Sequence, residues 1–194
     1  DVMRWCAHAL LVGSLSLASA SGCGLLYEPK PEVGAPSHYA EHGLAFDYPG
    51  NWKLEAEKSS TEGIETVLVT VESSGSGIAM VQQFRPAIHM EPDEMLELLT
   101  AELRKAAGEQ LGGALGYQQG GASAGVRTLL GAERPMRRTE FAVALLGEKV
   151  PHTFELVMAD LDDRTIVVLL QAPNEDLETV KPAFDLLVGS LAVR

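Results

Sequence analysis

The chain has 194 residues, with 15 Lys and Arg against 27 Asp and Glu for a formal net charge of -12, and 46% of its residues are hydrophobic. This length and composition exclude a disordered chain and are typical of one packed domain. The acidic balance, without a basic stripe, excludes a nucleic-acid surface, because phosphate contacts need clustered Lys and Arg.

The N-terminus has the layout of a targeting segment. Met3 and Arg4 precede an apolar stretch over residues 5–18, which ends in small residues. The stretch is too short and too interrupted for a bilayer-spanning helix, which needs about 20 apolar residues, but it suits a signal peptide. We therefore predict a signal peptide over 1–22, with Met3 as the initiator.

The next signal is a cysteine that follows small residues. Ala20, Ser21, Gly22 and Cys23 resemble the lipobox of bacterial lipoproteins, in which the cysteine is lipidated on sulfur and becomes the new N-terminus. The resemblance implies that acyl chains such as palmitate anchor Cys23, and each buried methylene adds about 0.8 kcal/mol of membrane affinity. Gly24 stands where an inner-membrane retention signal has Asp, which implies the periplasmic face of the outer membrane in a Gram-negative host. Two alternatives remain open: an ordinary secretory signal and an uncleaved anchor.

Residues 24–37 are predicted to form a tether. They include Pro29, Pro31 and Pro36, a composition that disfavours both helix and sheet. In an extended form such a segment reaches about 40 Å. The predicted organisation is a signal peptide (1–22), a lipidated cysteine with its tether (23–37) and a single domain (38–194). Cys6 lies in the removed segment, so no disulfide is expected in the mature chain.

The first half of the domain is predicted to contain two strand pairs and a helix. Residues 44–48 and 52–57 flank a Pro-Gly-Asn turn, which favours a hairpin or a sharp corner. Residues 66–72 and 78–84 alternate around a Ser/Gly turn and predict a second hairpin. Apolar residues at helical spacing then predict an amphipathic helix over 92–108.

The second half is predicted to add strands and a closing helix. Residues 141–145 and 154–158 alternate between apolar and polar side chains, and residues 166–170 are all apolar, which is typical of a central strand covered on both faces. Asn174 is predicted to cap a final helix that contains Pro182. The expected fold class is α+β, a largely antiparallel sheet flanked by helices.

The opening of the domain carries a short aromatic motif. Phe46, Tyr48, Pro49 and Trp52 form an F-x-YP-x-x-W pattern that resembles the opening of PsbP-like domains, and the order of elements agrees over 39–191. The resemblance implies an α/β/α sandwich and a non-enzymatic adaptor, a fold known from photosystem subunits and from exported bacterial lipoproteins. The motif's aromatic rings are expected to pack the turn onto the core, each burying on the order of 150 Å².

A second motif, G-x-S-x-G at residues 121–125, is typical of hydrolases that hold a nucleophilic serine on a strand-to-helix elbow. It lies in a Gly-rich stretch, 108–125, that we predict to be a mobile connector, and His152 is the only histidine that follows it. Our main expectation is that the domain is not an enzyme. An exported serine hydrolase that uses Ser123 and His152 is the alternative.

Metal and cofactor sites are not expected. Asp160, Asp162 and Asp163 suit a solvated turn, with Ca²⁺ binding as the alternative. His38 and His42 are four residues apart, which leaves a metal site as a further alternative. A periplasmic metal or small-ligand carrier is therefore the third functional hypothesis.

The basic residues of the domain cluster at one place, Arg134, Arg137 and Arg138. Such a cluster suits a solvated strand end, or a contact with an acidic envelope protein or anionic headgroups. The sequence thus predicts a membrane-anchored envelope lipoprotein with a non-catalytic binding or scaffolding domain.

Overall fold

The computed structural model describes residues 27–110, 116–145 and 148–194, so the predicted signal peptide and Cys23 lie outside the described residues. Within these ranges the chain forms ten strands and two helices. In chain order they are β1 (Ser37–Glu41), β2 (Leu44–Tyr48), β3 (Lys53–Thr61), β4 (Ile64–Glu72), β5 (Ile78–Arg85), α1 (Pro92–Gln110), β6 (Gly116–Leu129), β7 (Ala132–Leu145), β8 (Glu148–Asp160), β9 (Thr165–Pro173), α2 (Leu177–Ser190) and β10 (Ala192–Val193).

The strands form two antiparallel sheets. The larger has seven strands in the order β3-β4-β5-β9-β8-β7-β6, and the smaller has the order β1-β2-β10. The apolar run that predicted a central strand is β9, the fourth of the seven, and nearly all of its residues are buried. The predicted α+β class, with a largely antiparallel sheet flanked by helices, is confirmed.

Each face of the large sheet packs against one helix. Side chains alternate between faces along a strand. Val69, Val81 and Val168 therefore lie on the face that packs against α2, with Phe184 and Leu187 above them. The intervening residues lie on the face that packs against α1; they include Leu68, Met80, Leu169, Met95 and Leu99. The domain is a three-layer sandwich of helix, sheet and helix.

The aromatic motif joins the two sheets. The Phe46 ring is fully buried in β2 and lies 5.2 Å from the Tyr39 ring and 6.4 Å from the Tyr48 ring, measured between centroids. The turn after Pro49 is a corner between sheets and not a hairpin, because β2 pairs with β1 and β10 while β3 pairs with β4. Trp52 then packs edge-on against Phe184 of α2, with centroids 6.1 Å apart.

The prediction of a mobile connector over 108–125 is wrong for residues 108–110, which end α1, and for residues 116–125, which belong to the long strand β6. Residues 111–115 lie outside the described residues. The β6 backbone pairs antiparallel with β7, with a register shift between Gln119 and Ala122. A Cβ added to Gly120 would meet the Glu140 backbone oxygen at 3.1 Å, so glycine permits the close approach of β7. Backbone pairing with a neighbouring strand forms β6 although its side chains are small.

The predicted tether over 23–37 also needs correction, because its second part packs against the domain. Glu28 and Pro31 are buried, and the Asn51 side chain accepts from the Glu32 N–H (2.9 Å) and donates to the Lys30 carbonyl (3.0 Å). Pro-rich composition disfavours regular structure but does not prevent docking through side chains and single backbone groups.

The predicted cap of the final helix is corrected as well. The residue at the N-terminal boundary of α2 is Asp176, which makes no side-chain capping hydrogen bond. The Asn174 side chain accepts instead from the Thr153 hydroxyl at 2.8 Å. Asn174 therefore fastens the start of α2 to β8.

No helix within the described ranges is long and apolar enough to cross a bilayer.

Candidate functional site

The three predicted arginines do not form one patch, because alternation along β7 sends neighbours to opposite faces. Arg137 lies on the α1 face, where its Nε donates to Asp93 Oδ1 (2.5 Å) and its Nη2 to Asp93 Oδ2 (2.8 Å). This hydrogen bonding lowers the pKa of Asp93 and raises the pKa of Arg137. Arg134 and Arg138 lie on the α2 face.

Arg138 belongs to a charged network centred on Glu155. The Glu155 carboxylate accepts from Arg138 Nη2 and, at 3.0 Å, from Arg127 Nη1. Arg127 also donates from Nη2 to Asp185 of α2 at 2.7 Å, and Asp185 pairs in turn with Lys181. The Glu155 side chain is 12% exposed, whereas that of Arg138 is 49% exposed. The network therefore runs from a nearly buried carboxylate to a solvent-accessible guanidinium.

Most of these charged groups line a cavity of about 130 Å³ between α2 and strands β6 to β9. Three basic side chains and two carboxylates contribute to its wall, and each basic side chain already pairs with Glu155 or Asp185. Arg138, which is half exposed, is the guanidinium that an anion or an acidic side chain can reach. Arginine suits such a guest, because its planar fork makes two parallel hydrogen bonds to a carboxylate or phosphate. The lining residues are Arg127, Arg138, Thr153, Glu155, Leu170, Leu177, Glu178, Lys181 and Phe184.

Sequence reasoning found only Arg138 of this network. Arg138 and Glu155 meet because they are direct partners in the β7–β8 pairing. Arg127 joins them from β6, and Lys181 and Asp185 come from α2. The four-residue spacing of the last two was visible in the sequence as a helical ion pair. The remaining contacts depend on strand order and register, which a single sequence does not give.

A second, wider groove of about 470 Å³ lies between α1 and the loop before it. Ile88, Met90 and Leu98 give it an apolar floor, and Glu94 and Glu97 give it an acidic rim. These two concave sites thus differ in charge, since arginine and lysine line the first, whereas His89 is the one basic side chain beside the glutamates of the second.

The candidate nucleophile and base of the hydrolase hypothesis are not brought together. Ser123 lies in one cross-strand row with Arg138 and Glu155. His152 lies three residues farther along β8, which places its side chain on the opposite face of the sheet. With strands ~4.8 Å apart and residues ~3.4 Å apart, the two Cα atoms are separated by about 14 Å. A working pair needs hydrogen-bond contact, and Ser123 lies within a strand instead of on an elbow.

His152 has a packing role. Its ring stacks on Phe141 with centroids 5.2 Å apart, and its Nδ1 is 3.0 Å from the Val150 carbonyl oxygen. Burial lowers the pKa of His152, although the Val150 carbonyl and Asp176 partly oppose this. The neutral imidazole is therefore the form that the folded chain favours.

The residues of the metal hypotheses have protein partners. His38 Nδ1 is 2.7 Å from Asp47 Oδ1, while His42 lies in the turn after β1. Asp160 accepts from the Thr165 hydroxyl, and Asp163 pairs with Arg164 at 2.7 Å. In the part of the chain that the structure describes, no group of three or more His, Cys, Asp or Glu converges as a metal site would require.

No known family model matches the chain, and no curated protein matches it. The structure is similar to cyanobacterial PsbP (CyanoP) from Synechocystis sp. PCC 6803, with 16% identity over 90% of this chain and 99% of that one, at a TM-score of 0.49. It is also similar to LpqN, involved in cell envelope biogenesis of Mycobacterium tuberculosis, with 14% identity over 82% of this chain and 89% of that one, at a TM-score of 0.42. The similarity to PsbP that the motif from Phe46 to Trp52 predicted is thus found again as a likeness of fold.

Proposed function

We propose that this chain is a cell-envelope lipoprotein, held at a membrane by lipid on Cys23, whose sandwich domain binds or scaffolds another envelope component without catalysis. In a Gram-negative host its place is the periplasmic face of the outer membrane.

The observation that carries this proposal is Cys23 itself. It follows three small residues at the end of an apolar segment with a basic start, and the described domain begins a few residues later. The sulfur is the atom that lipidation modifies, and an acylated N-terminus keeps the domain at the bilayer through the burial of methylene groups.

The binding part of the proposal is supported by the charged cavity on the α2 face. Arg138 is half exposed at its mouth, and Arg134 lies on the same face. We propose that these two arginines receive a carboxylate of the partner, with Arg127 behind them. Arg137 is engaged by Asp93 on the other face, so we assign it no contact with the same partner.

Lipidation is tested by metabolic labelling with a radioactive fatty acid in a bacterial host. Wild type and the matched control Cys6→Ala should incorporate label equally, because Cys6 lies in the segment predicted to be removed. Cys23→Ala should incorporate none. Equal labelling of Cys23→Ala and wild type would refute the anchor.

The same cavity favours a second candidate function, that of a small-ligand carrier, because Arg127 and Arg138 both line it. Phosphate and acetate are suitable probes, since a ligand that prefers the native state raises the melting temperature. The carrier hypothesis predicts a shift in wild type and in Arg137→Ala but a smaller one in Arg138→Ala. No shift with either anion would remove this candidate and leave the partner-binding proposal in place.

A further inference from the structure

The chain is fastened to the domain very soon after the proposed lipid anchor. Glu28 is 3% exposed, and its Oε2 accepts from the backbone N–H groups of Ser76 (2.5 Å) and Gly77 (3.2 Å) and from the Ser76 hydroxyl (3.2 Å). The Ser76 hydroxyl also lies 3.0 Å from Asp176 Oδ2 at the start of α2. Glu28 therefore fixes the N-terminal segment to the β4–β5 loop.

The fit around Glu28 is close. A Cβ added to Gly75 would meet Glu28 Oε2 at 2.2 Å, so only glycine allows the carboxylate to approach this loop. A few residues later, the backbone around Lys30 and Glu32 is held by Asn51. We call residues 28–32 with these contacts the latch.

The latch lies at one end of the sandwich. Loop 73–77 connects the end of β4 to the start of β5, and the Asn51 turn precedes β3, whose first residue pairs with the last of β4. The Asp176 turn follows β9 at the same end, because Ile78 pairs with Gln171. The loops 49–51, 73–77 and 174–176 form what we call the latch pole. The β3–β4 turn lies at the opposite pole, about 30 Å away along the nine residues of β4.

Chain length then limits how far the latch pole can lie from the anchor. Glu28 lies five positions after Cys23, and five Cα-to-Cα steps span at most about 18 Å. The tether predicted from composition would reach about 40 Å and let the domain turn freely. The latch reduces this reach by more than half and attaches the domain at one end.

Resting on the proposed lipid anchor, we propose that the latch pole faces the lipid headgroups and that Glu28 holds it there. The opposite pole and the long sides of the sandwich then face away from the membrane or along it. The mouth of the charged cavity, on the α2 side, stays open to a partner in the aqueous phase.

The test uses the full lipidated chain in phosphatidylcholine vesicles that contain a headgroup-labelled acceptor lipid. A donor dye is placed on Ser74→Cys at the latch pole or on the matched Ser60→Cys near the opposite pole, both exposed serines. Energy transfer is measured only on protein that floats with the vesicles. Transfer at position 74 should exceed transfer at position 60 by at least about twofold, given the difference in distance.

Three further outcomes are separated by this design. If the protein floats but both positions transfer equally, the orientation is wrong and the anchor stands. If the protein does not float, the proposed function fails, and this inference fails with it. Glu28→Ala should bring the ratio of energy transfer at the two positions close to one. Glu32→Ala removes an exposed side chain but keeps the backbone N–H through which Glu32 takes part in the latch, so it should retain the wild-type ratio. A wild-type ratio in Glu28→Ala would refute the role of Glu28.

Discussion

Removing the Glu155 carboxylate is expected to destabilise the domain more than removing its exposed partner, Arg138. The carboxylate accepts hydrogen bonds from Arg127 and Arg138 and is only 12% exposed. In Glu155→Ala both guanidinium groups lose an acceptor, and the less exposed of them suffers more because water reaches it less easily.

The magnitude follows from the burial of each partner. A hydrogen bond to a charged group contributes about 1.5–3 kcal/mol. Arg127 is 19% exposed and keeps its ion pair with Asp185, so losing its hydrogen bond to Glu155 costs a free energy at the lower end of that range. Arg138 is 49% exposed and can hydrogen-bond to water instead, so losing its ion pair with Glu155 costs roughly 0.5 kcal/mol, as for a surface ion pair. We expect Glu155→Ala to lose about 2–3 kcal/mol of unfolding free energy, and Arg138→Ala less than about 1 kcal/mol.

The assay is urea denaturation followed by circular dichroism, together with a thermal scan. For a chain of this size, about 2–3 kcal/mol corresponds to a decrease in melting temperature of roughly 4–12 °C. The m-value should stay unchanged, because the surface exposed on unfolding is the same. Two results would contradict the reasoning: equal losses in Glu155→Ala and Arg138→Ala, or a loss in Glu155→Ala below about 0.5 kcal/mol.

Three other predictions concern packing, pH and chemistry. Gly77→Ala should lose about 1–3 kcal/mol, because the new Cβ would lie 2.8 Å from Val180 Cγ1; Gly121→Ala, with nothing within 4 Å, is the control, and equal unfolding free energies would refute the clash. The lowered pKa of His152 gives stability that is complete above the unfolded value of 6.5 and is lost as the pH falls through the folded value. The stability of His152→Gln should therefore fall less than that of wild type as the pH is lowered below 6.5, measured by urea unfolding at a series of pH values, and parallel curves would contradict this. A fluorophosphonate probe should not label Ser123 in the folded protein, and labelling abolished by Ser123→Ala would restore the hydrolase hypothesis.

The parts of the fold that were predictable are those in which local pattern and burial agree. Valines at every second position mark β4, and the apolar run marks β9, because a sheet covered by helices must bury both faces of its central strands. The α1 helix followed from apolar spacing alone. Pattern reasoning works where side chains supply most of the driving force.

The errors occurred where backbone groups or distant partners decide the structure. β6 has a Gly- and Ala-rich first half without hydrophobic periodicity, and its formation depends on pairing with β7. Glu28 docks on amides 48 and 49 residues away, which no local composition reveals. The charged cavity likewise combines side chains of four strands and a helix. Such sites can be predicted only when the order of the strands in the sheet is known.

The outermost strand β3 bears on whether copies of this domain can pair edge to edge. The outer edge of a sheet can recruit the edge of a neighbour and start aggregation, and charged side chains along it oppose this. β3 carries Lys53, Glu55, Glu57 and Lys58 within nine largely exposed residues. A second molecule that aligned its own β3 there would have to bring these charges together and strip them of water. The domain therefore has little tendency to polymerise through this edge.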